Sequence, residues 1–576
     1  MKMIKKIIII HAVLIAQFSI SQNQLIIPPT IETTTINLNL QNGTHQFFAG
    51  QNTATMGING NILGPTLIIN KGDDLNISVT NNLGQPTTIH WHGLHVSASN
   101  DGGPHTVIAP GATWNPQFKV LDKAATYWYH PHLDEFTDEH VSKGMAGLII
   151  VKDTKEAALN LPRTYGVDDI PLVIQTKGFD ASYQIVHDSN ADDVLIVNGT
   201  VKPETNVPAQ MVRFRLLNGS SQRVFNFGFS DNKMFYQIAT DGGLKVAPLA
   251  LTRLQLAPGE RSEIVVDLQG MNGEILQLMS YAAEFDNGVY GATAPGINPN
   301  IPLDNYNPNA MNGTNFNILK LNVIAQTTNA ITTIPDTLVS VTPFLETNST
   351  KTRTLTFSPV TGGFNQLNGD FTINGVSLDM NIINVTIPLN NTEIWTVQNN
   401  SAISHPFHIH DIQYYILDID GNPPPASVVG WKDTYLVPAQ STMRFITKFT
   451  DFANDRVPYM YHCHMLTHED GGMMGQFVVV DLLGVNESNV DKKGGFRLYP
   501  TPSKDIYMTV KLNDLSDKIR GYAIINTKGQ IVNYHKIDEN EWSNLYSFPI
   551  FEYSSGVYFI RLFTNDAIYK KEFIVK

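Results

Sequence analysis

A short strand that ends in asparagine occurs three times along this chain, at residues 75–82 (LNISVTNN), 212–219 (VRFRLLNG) and 393–400 (EIWTVQNN). Each copy is followed by a turn: Ala109-Pro110-Gly111, Ala257-Pro258-Gly259 or Val437-Pro438-Ala439. Runs rich in Val, Ile, Thr and Phe and closed by Asn or Gly read as strands. A unit that recurs at wide spacing predicts separate modules of like build, so the chain reads as all-β, with related β-sandwiches in series and not one large sheet. Its 576 residues leave room for about four domains, each able to bury a core.

The first and third copies share more than the strand. Tyr127-Trp128-Tyr129-His130-Pro131-His132 aligns with Tyr459-Met460-Tyr461-His462-Cys463-His464, and Gly144-Met145-Ala146-Gly147 aligns with Gly472-Met473-Met474-Gly475. The middle copy has no histidine at either place. These correspondences put domains at 24–155, 160–325 and 350–485, linkers at 327–336 and 486–489, and a further module at 494–576. At the start, Lys2, Lys5 and Lys6 precede an apolar run from Ile7 to Ile20 and then Ser21 and Gln22. That is the pattern of a secretory signal over residues 1–21, with the mature chain beginning near Gln22. No other run reaches the roughly 18 apolar residues of a span, so no membrane span is expected after signal removal. Lys and Arg total 39 against 52 Asp and Glu, a net charge of −13, and no basic stripe interrupts it. Nucleic acid is thereby excluded as a partner.

Ten of the seventeen histidines fall in four clusters: His90-Trp91-His92, His130-Pro131-His132, His405-Pro406-Phe407-His408-Ile409-His410, and His462-Cys463-His464 with His468. On a strand, residues i and i+2 share a face, so each His-x-His pair aims two imidazoles at one spot. Cys463 is the single cysteine of the chain, which excludes an internal disulfide and multi-thiolate zinc or iron–sulfur sites. Lying between His462 and His464, it points opposite to their rings and can meet His468 and His405 as a His₂Cys set. A weak axial methionine completes the blue-copper pattern, with Met473 and Met474 both candidates. The remaining eight histidines suit three copper ions with open positions, one residue of backbone away from the thiolate. His45, His95, His105, His140, His187 and His535 read as ordinary surface or core residues.

Taken in order, His-Trp-His-Gly, His-Pro-His, His-Pro-Phe-His-Ile-His and His-Cys-His-x₃-His-x₄-Met resemble the four copper-binding segments of the three-domain multicopper oxidases, the family of laccases, bilirubin oxidases and cuprous oxidases. The resemblance spans about residues 30–480. It implies three cupredoxin-like Greek-key β-sandwiches in series and four copper ions. Type 1 copper would lie on His405, Cys463, His468 and Met473, and type 2 on His90 and His408. One type 3 copper would lie on His92, His130 and His464, the other on His132, His410 and His462. Pro131 stands where the third domain has Cys463, so the first domain would carry no type 1 site. Asp101 and Glu469 follow their motifs as acids do in these oxidases, and reduction of O₂ to water consumes four protons, which gives both a role as relays.

The implied partners are O₂ and a small organic reductant. Cuprous oxidases add a Met-rich insertion and an Asp and Met before the third motif; here Ser401-Ala402-Ile403-Ser404 stands there. Thioethers select Cu(I), so an organic donor is favoured, and a laccase-like oxidase is expected ahead of a cuprous oxidase or a non-catalytic copper carrier. Residues 494–576 open with Gly495-Phe496-Arg497-Leu498-Tyr499-Pro500, pass Gly556-Val557-Tyr558-Phe559, and end in Lys570-Lys571-Glu572-Phe573-Ile574-Val575-Lys576. This resembles the C-terminal sorting domain of the Bacteroidetes type IX secretion system, a small β-sandwich. The resemblance implies that machinery as a partner and export through the periplasm to the medium or cell surface.

Overall fold

The computed structural model describes residues 23–187, 191–298, 300, 309–361, 370–481, 495–503, 507–513, 518–527, 531–564 and 568–576. The expected signal peptide and the 486–489 linker lie outside the described residues. The fold is all-β, as expected: the longest described α-helix is Thr137–Ser142, and no described helix is long and apolar enough to cross a membrane.

In the first sandwich, one sheet carries Thr66–Asn70, Gly147–Lys152, Ala125–His130 and His90–His92, and the other carries Gln51–Ile58, Thr35–Phe48 and Asp74–Asn82. The third repeats this plan with Val385–Pro388, Met474–Val480, Asn454–Cys463 and His405–Ile409 packed on Lys351–Pro359, Thr392–Asn399 and Thr442–Lys448. The middle sandwich packs a six-stranded sheet on an eight-stranded one. The opening strand Asn23–Gln24 pairs with Pro203–Pro208 of this middle sandwich before Thr30–Ile31 joins the first. Beyond them, a three-stranded and a four-stranded sheet enclose their own core of Met508, Val510, Ile524, Phe548 and Ile560.

The repeated asparagine has a physical cause. Asn81, Asn218 and Asn399 are buried, and each side chain staples the end of its strand in the same way. Asn81 Nδ2 donates to Gln85 O and Ile108 O while its Oδ1 accepts from Leu83 N. Asn218 does so with Arg223 O, Leu256 O and Ser220 N, and Asn399 with Ile403 O, Val437 O and Ser401 N. One amide thus satisfies three backbone groups that a buried turn leaves open. The repeated Gly-Met motif is likewise steric: a Cβ on Gly147 would overlap the ring of Tyr129, and one on Gly475 the ring of Tyr461.

Few local signals announce how the sandwiches dock. His45 Nε2 meets Gly199 O at 2.8 Å, joining the first sandwich to the middle one. His95 joins the first to the third, with Nδ1 2.8 Å from Asp411 Oδ1 and Nε2 3.3 Å from Asp451 Oδ2. Burial by itself lowers the pKa of this ring, but Asp411 and Asp122 outweigh it and raise the value to about 10.

Two predictions follow from these contacts. Gly147→Ala and Gly475→Ala are each expected to cost about 1–3 kcal/mol in denaturant unfolding, because the tyrosine ring that must shift is buried in a packed core; an unchanged midpoint would refute the steric account. For His95, a folded pKa above the unfolded 6.5 means stabilisation that is complete below pH 6.5 and lost as pH rises through about 10. His95→Gln is therefore expected to destabilise by about 2 kcal/mol at pH 6 and progressively less toward pH 10. A difference that stays constant over that range would show the ring to be neutral.

Candidate metal centre

Strand alternation distributes the four histidine clusters over two faces. His90 pairs with His130 and His92 with Trp128, while the intervening Trp91 and Tyr129 fill the first core. In the third sandwich His408 pairs with His462 and Phe407 with Cys463. Directly opposite residues share a face, so His408 and His462 look toward the first sandwich. Phe407 and Cys463 look into the third core together with Tyr459 and Tyr461. His405, three residues before His408, falls on the Cys463 side. The two faces of one sheet therefore carry two donor sets.

Between the first and third sandwiches, eight buried rings converge. His132, His410 and His462 bring their Nε2 atoms within 3.2–3.4 Å of one another. His92 Nδ1 lies 3.4 Å from His130 Nε2 and 3.2 Å from His464 Nε2. His90 and His408 lie across the same space with ring centroids 6.0 Å apart. The acceptors around each ring decide its tautomer. A carbonyl oxygen only accepts, so His90 Nδ1 donates to Asp101 O, His130 Nδ1 to Pro131 O, His408 Nδ1 to Asp433 O and His462 Nδ1 to Cys463 O. His410 Nδ1 donates to Asp101 Oδ2 at 2.7 Å. The two oxygens of Glu469 lie 3.2 Å from His132 Nδ1 and 3.1 Å from His462 Nδ1. The protons of His90, His130, His408, His410 and His462 are thus drawn outward and their Nε2 atoms are left with bare lone pairs; His90 Nε2 and His408 Nε2 have no hydrogen-bond partner at all.

On the core side of the same strand, Cys463 Sγ lies 3.5 Å from His405 Nδ1 and 3.7 Å from His468 Nδ1. Met473 is buried in this core. Its carbonyl accepts from Cys463 N and its N–H donates to His468 O. Because Met474 stands opposite His462, Met473 falls opposite Cys463 and on the same face. The ring of Phe371 covers both imidazoles, with centroids 4.6 and 4.7 Å away. The single hydroxyl proton of Ser401 is shared between Asn399 Oδ1 and Ile403 O, both acceptors, so Ser401 Oγ accepts from His405 Nε2 at 2.8 Å and leaves Nδ1 facing the sulfur.

All twelve expected metal-site residues are buried, as are Asp101 and Glu469. Burial holds His92, His130, His132, His405, His408 and His464 well below the ordinary imidazole pKa and pushes His410 down to about 3. These seven rings are held neutral, the form that binds metal. Burial raises the Cys463 thiol, and against burial the rings of His410 and His90 hold Asp101 below the usual carboxylate range. Sequence reasoning missed Ser401 as a partner of His405, and it missed Asp433, Thr434 and Arg261, which lie against His92 and His408. The missed residues sit outside the histidine motifs, and Arg261 belongs to the sandwich without histidines, so only the Gly259 turn just before it was visible in the sequence.

Residues 39–156 and 347–482 match models described as multicopper oxidase, and 497–576 match a secretion system C-terminal sorting domain. The multicopper oxidase Mco of Staphylococcus haemolyticus is 35% identical over 477 residues, 80% of this chain and 93% of that protein. The cell division protein FtsP of Sodalis glossinidius is 33% identical over 468 residues, 79% and 91% of the two chains. The solved structure of the laccase-like multi-copper oxidase CueO from the lignin-degrading bacterium Ochrobactrum sp. superposes with a TM-score of 0.70 at 35% identity, covering 79% of this chain and all of that one. Copper, which the family implies, fits the donors present. Metal–nitrogen bonds of about 2.0 Å to one ion separate the nitrogens by about 3.3–3.5 Å, the spacing seen, and thiolate with two imidazoles is a copper set. The sorting domain marks the protein for secretion, and on sequence, fold and donor sets together the chain belongs to the multicopper oxidase family of oxidoreductases.

Proposed function

We propose that this protein is a secreted laccase-like oxidase that takes single electrons from phenolic or similar organic donors and reduces O₂ to water. In this reading four coppers are held: type 1 by His405, Cys463, His468 and Met473, type 2 by His90 and His408, and the type 3 pair by His92, His130 and His464 and by His132, His410 and His462. Copper supplies the one-electron redox chemistry. The observation that carries the reading is that Cys463 of the His₂Cys set is flanked in sequence by His462 and His464, one in each three-imidazole set. A single strand therefore connects the donor side to the O₂ side.

The protein's own groups supply the rest. Reduction of O₂ by four electrons takes up four protons, and Asp101 and Glu469 are carboxylates placed against Nδ1 atoms of the cluster rings, where they hold protons and pass them on. A relative named for cell division shares the fold, so fold alone does not specify turnover; the complete donor sets favour an enzyme over a carrier, which needs only the His₂Cys set. An organic donor is favoured over Cu(I) because Ser401 is committed to His405 and is no Cu(I) ligand. The Ochrobactrum relative is described as acting on lignin model compounds and lignosulfonate. The sorting domain would address the chain to the type IX secretion machinery.

Steady-state O₂ consumption by the copper-loaded protein, compared between Cu(I) and a set of phenols, tests this directly. Higher kcat/KM with phenols is expected; turnover with Cu(I) alone would assign a cuprous oxidase, and none with either would leave a carrier. Two variants test the division of donors. Cys463→Ser is expected to lose both the intense blue absorption and turnover, whereas His408→Ala is expected to keep the colour and lose at least 100-fold in O₂ reduction (roughly the scale of a lost ligand or its support). A blue Cys463→Ser protein or a fully active His408→Ala protein would overturn the assignment.

A further inference from the structure

Among its described residues the middle sandwich holds none of the expected copper ligands, yet Arg261 carries it to the edge of the cluster. Arg261 begins its strand Arg261–Asp267 and is fully buried where the three sandwiches meet. Its Nε donates to Thr126 O of the first sandwich, Nη1 to Gly259 O and Nη2 to Asp241 O of the middle one. The guanidinium also grips Asp433 of the third in two parallel bonds of 2.6 Å, Nη1 to Oδ1 and Nη2 to Oδ2. No bulk separates this pair from the cluster: Gly93, directly after His92, has φ +86°, and a Cβ there would stand 2.6 Å from Asp433 Oδ2 and 2.7 Å from Arg261 Nη2.

Asp433 Oδ1 lies 3.2 Å from His92 Nε2, and Thr434 Oγ1, which donates to that same Oδ1, is also 3.2 Å from it. An ionised carboxylate only accepts, so His92 carries its proton on Nε2 and turns Nδ1 inward. It is the one ring of the eight that does so. His90, His130, His132, His408, His410 and His462 point Nδ1 at an oxygen and Nε2 inward, and His464 directs Nε2 at His92 Nδ1. The same Asp433 fixes a second ring, because its main-chain oxygen takes the Nδ1 proton of His408.

We propose that Asp433, clamped by Arg261, is a positioning residue of the O₂-reducing cluster, setting which nitrogen His92 presents and holding His408 in register with it. The copper-free middle sandwich thereby acts on the metal site through Arg261. This rests on His92 and His408 being cluster ligands. Bidentate Arg–carboxylate pairing is directional, which a lysine does not reproduce, and groups that orient a metal-binding histidine change metal affinity by about 10–100-fold.

The experiment is chelator competition on copper-loaded Asp433→Asn, Arg261→Lys and the double variant, with copper counted per chain and the blue band recorded alongside. The expected result is an unchanged blue band and cluster copper held about 10–100-fold more weakly in each single variant, with the double variant no weaker than Asp433→Asn, as two residues acting in series require. A purely structural role would lower the unfolding midpoint and leave cluster affinity at the wild-type value; that outcome overturns the proposal. Should Asp433→Asn fail to fold and show no blue band, Arg261→Lys decides by the same two outcomes. His92→Ala is the control on the underlying reading: if it keeps full cluster copper, the ligand assignment fails and not the positioning role alone.

Discussion

Eight imidazoles are buried between two β-sandwiches and converge on one space. Within one set, three Nε2 atoms stand 3.2–3.4 Å apart; the protons of His410 and His462 are engaged on the outer side by Asp101 and a carbonyl, and His132 turns its Nδ1 toward Glu469. Buried acceptors without donors cost free energy, and a cation placed among them is the physical remedy. Much else in the molecule serves that arrangement. The sandwiches must dock closely enough to bring the rings together, the shell must hold the protons outside, and the surroundings must keep the rings from charging, which burial does.

The carboxylates around the cluster divide the work by location. Asp101 couples rings of both sandwiches, since its backbone and side-chain oxygens reach His90 and His410. Glu469, on the short helix Leu466–Asp470 that also carries His468, spans His132 and His462. Asp433 reaches His92 and His408 and is itself held by Arg261. Such buried pairs are not added stability in themselves, but removing one member typically costs about 3–5 kcal/mol because the other charge stays buried. The middle sandwich is thus bound into the site by electrostatics although its described residues hold none of the expected ligands.

The joining of the two donor sets is a consequence of strand geometry. Along residues 459–463 the side chains alternate: Tyr459, Tyr461 and Cys463 into the third core, His462 toward the cluster. The offset of three between His405 and His408 does the same on the neighbouring strand, sending one ring to the sulfur and the other to the cluster. A one-residue slip of either strand would exchange the faces. The asparagine staple of Asn399 and the register-fixing Gly475 beneath Tyr461 guard against it.

The sequence by itself determined what has a local period. Alternation along a strand assigns each His-x-His pair to one face and Cys463 to the other, and the recurring asparagine and Gly-Met motifs, one a hydrogen-bonding need and one a steric one, made three sandwiches visible, two of them carrying the histidine clusters. Asp101 and Glu469 were legible because they lie close to those motifs. Alternation alone does not say which rings share a set, since His92 and His464 meet across 372 residues; the family resemblance named the sets, and only the tertiary structure showed which nitrogen each ring presents. It also brought in Ser401, Asp433, Thr434 and Arg261. The physical reason is that docking of whole sandwiches is set by shape and buried charge over distant segments: Arg261 and Asp433 lie 172 residues apart, and no periodicity in either segment records that they will touch.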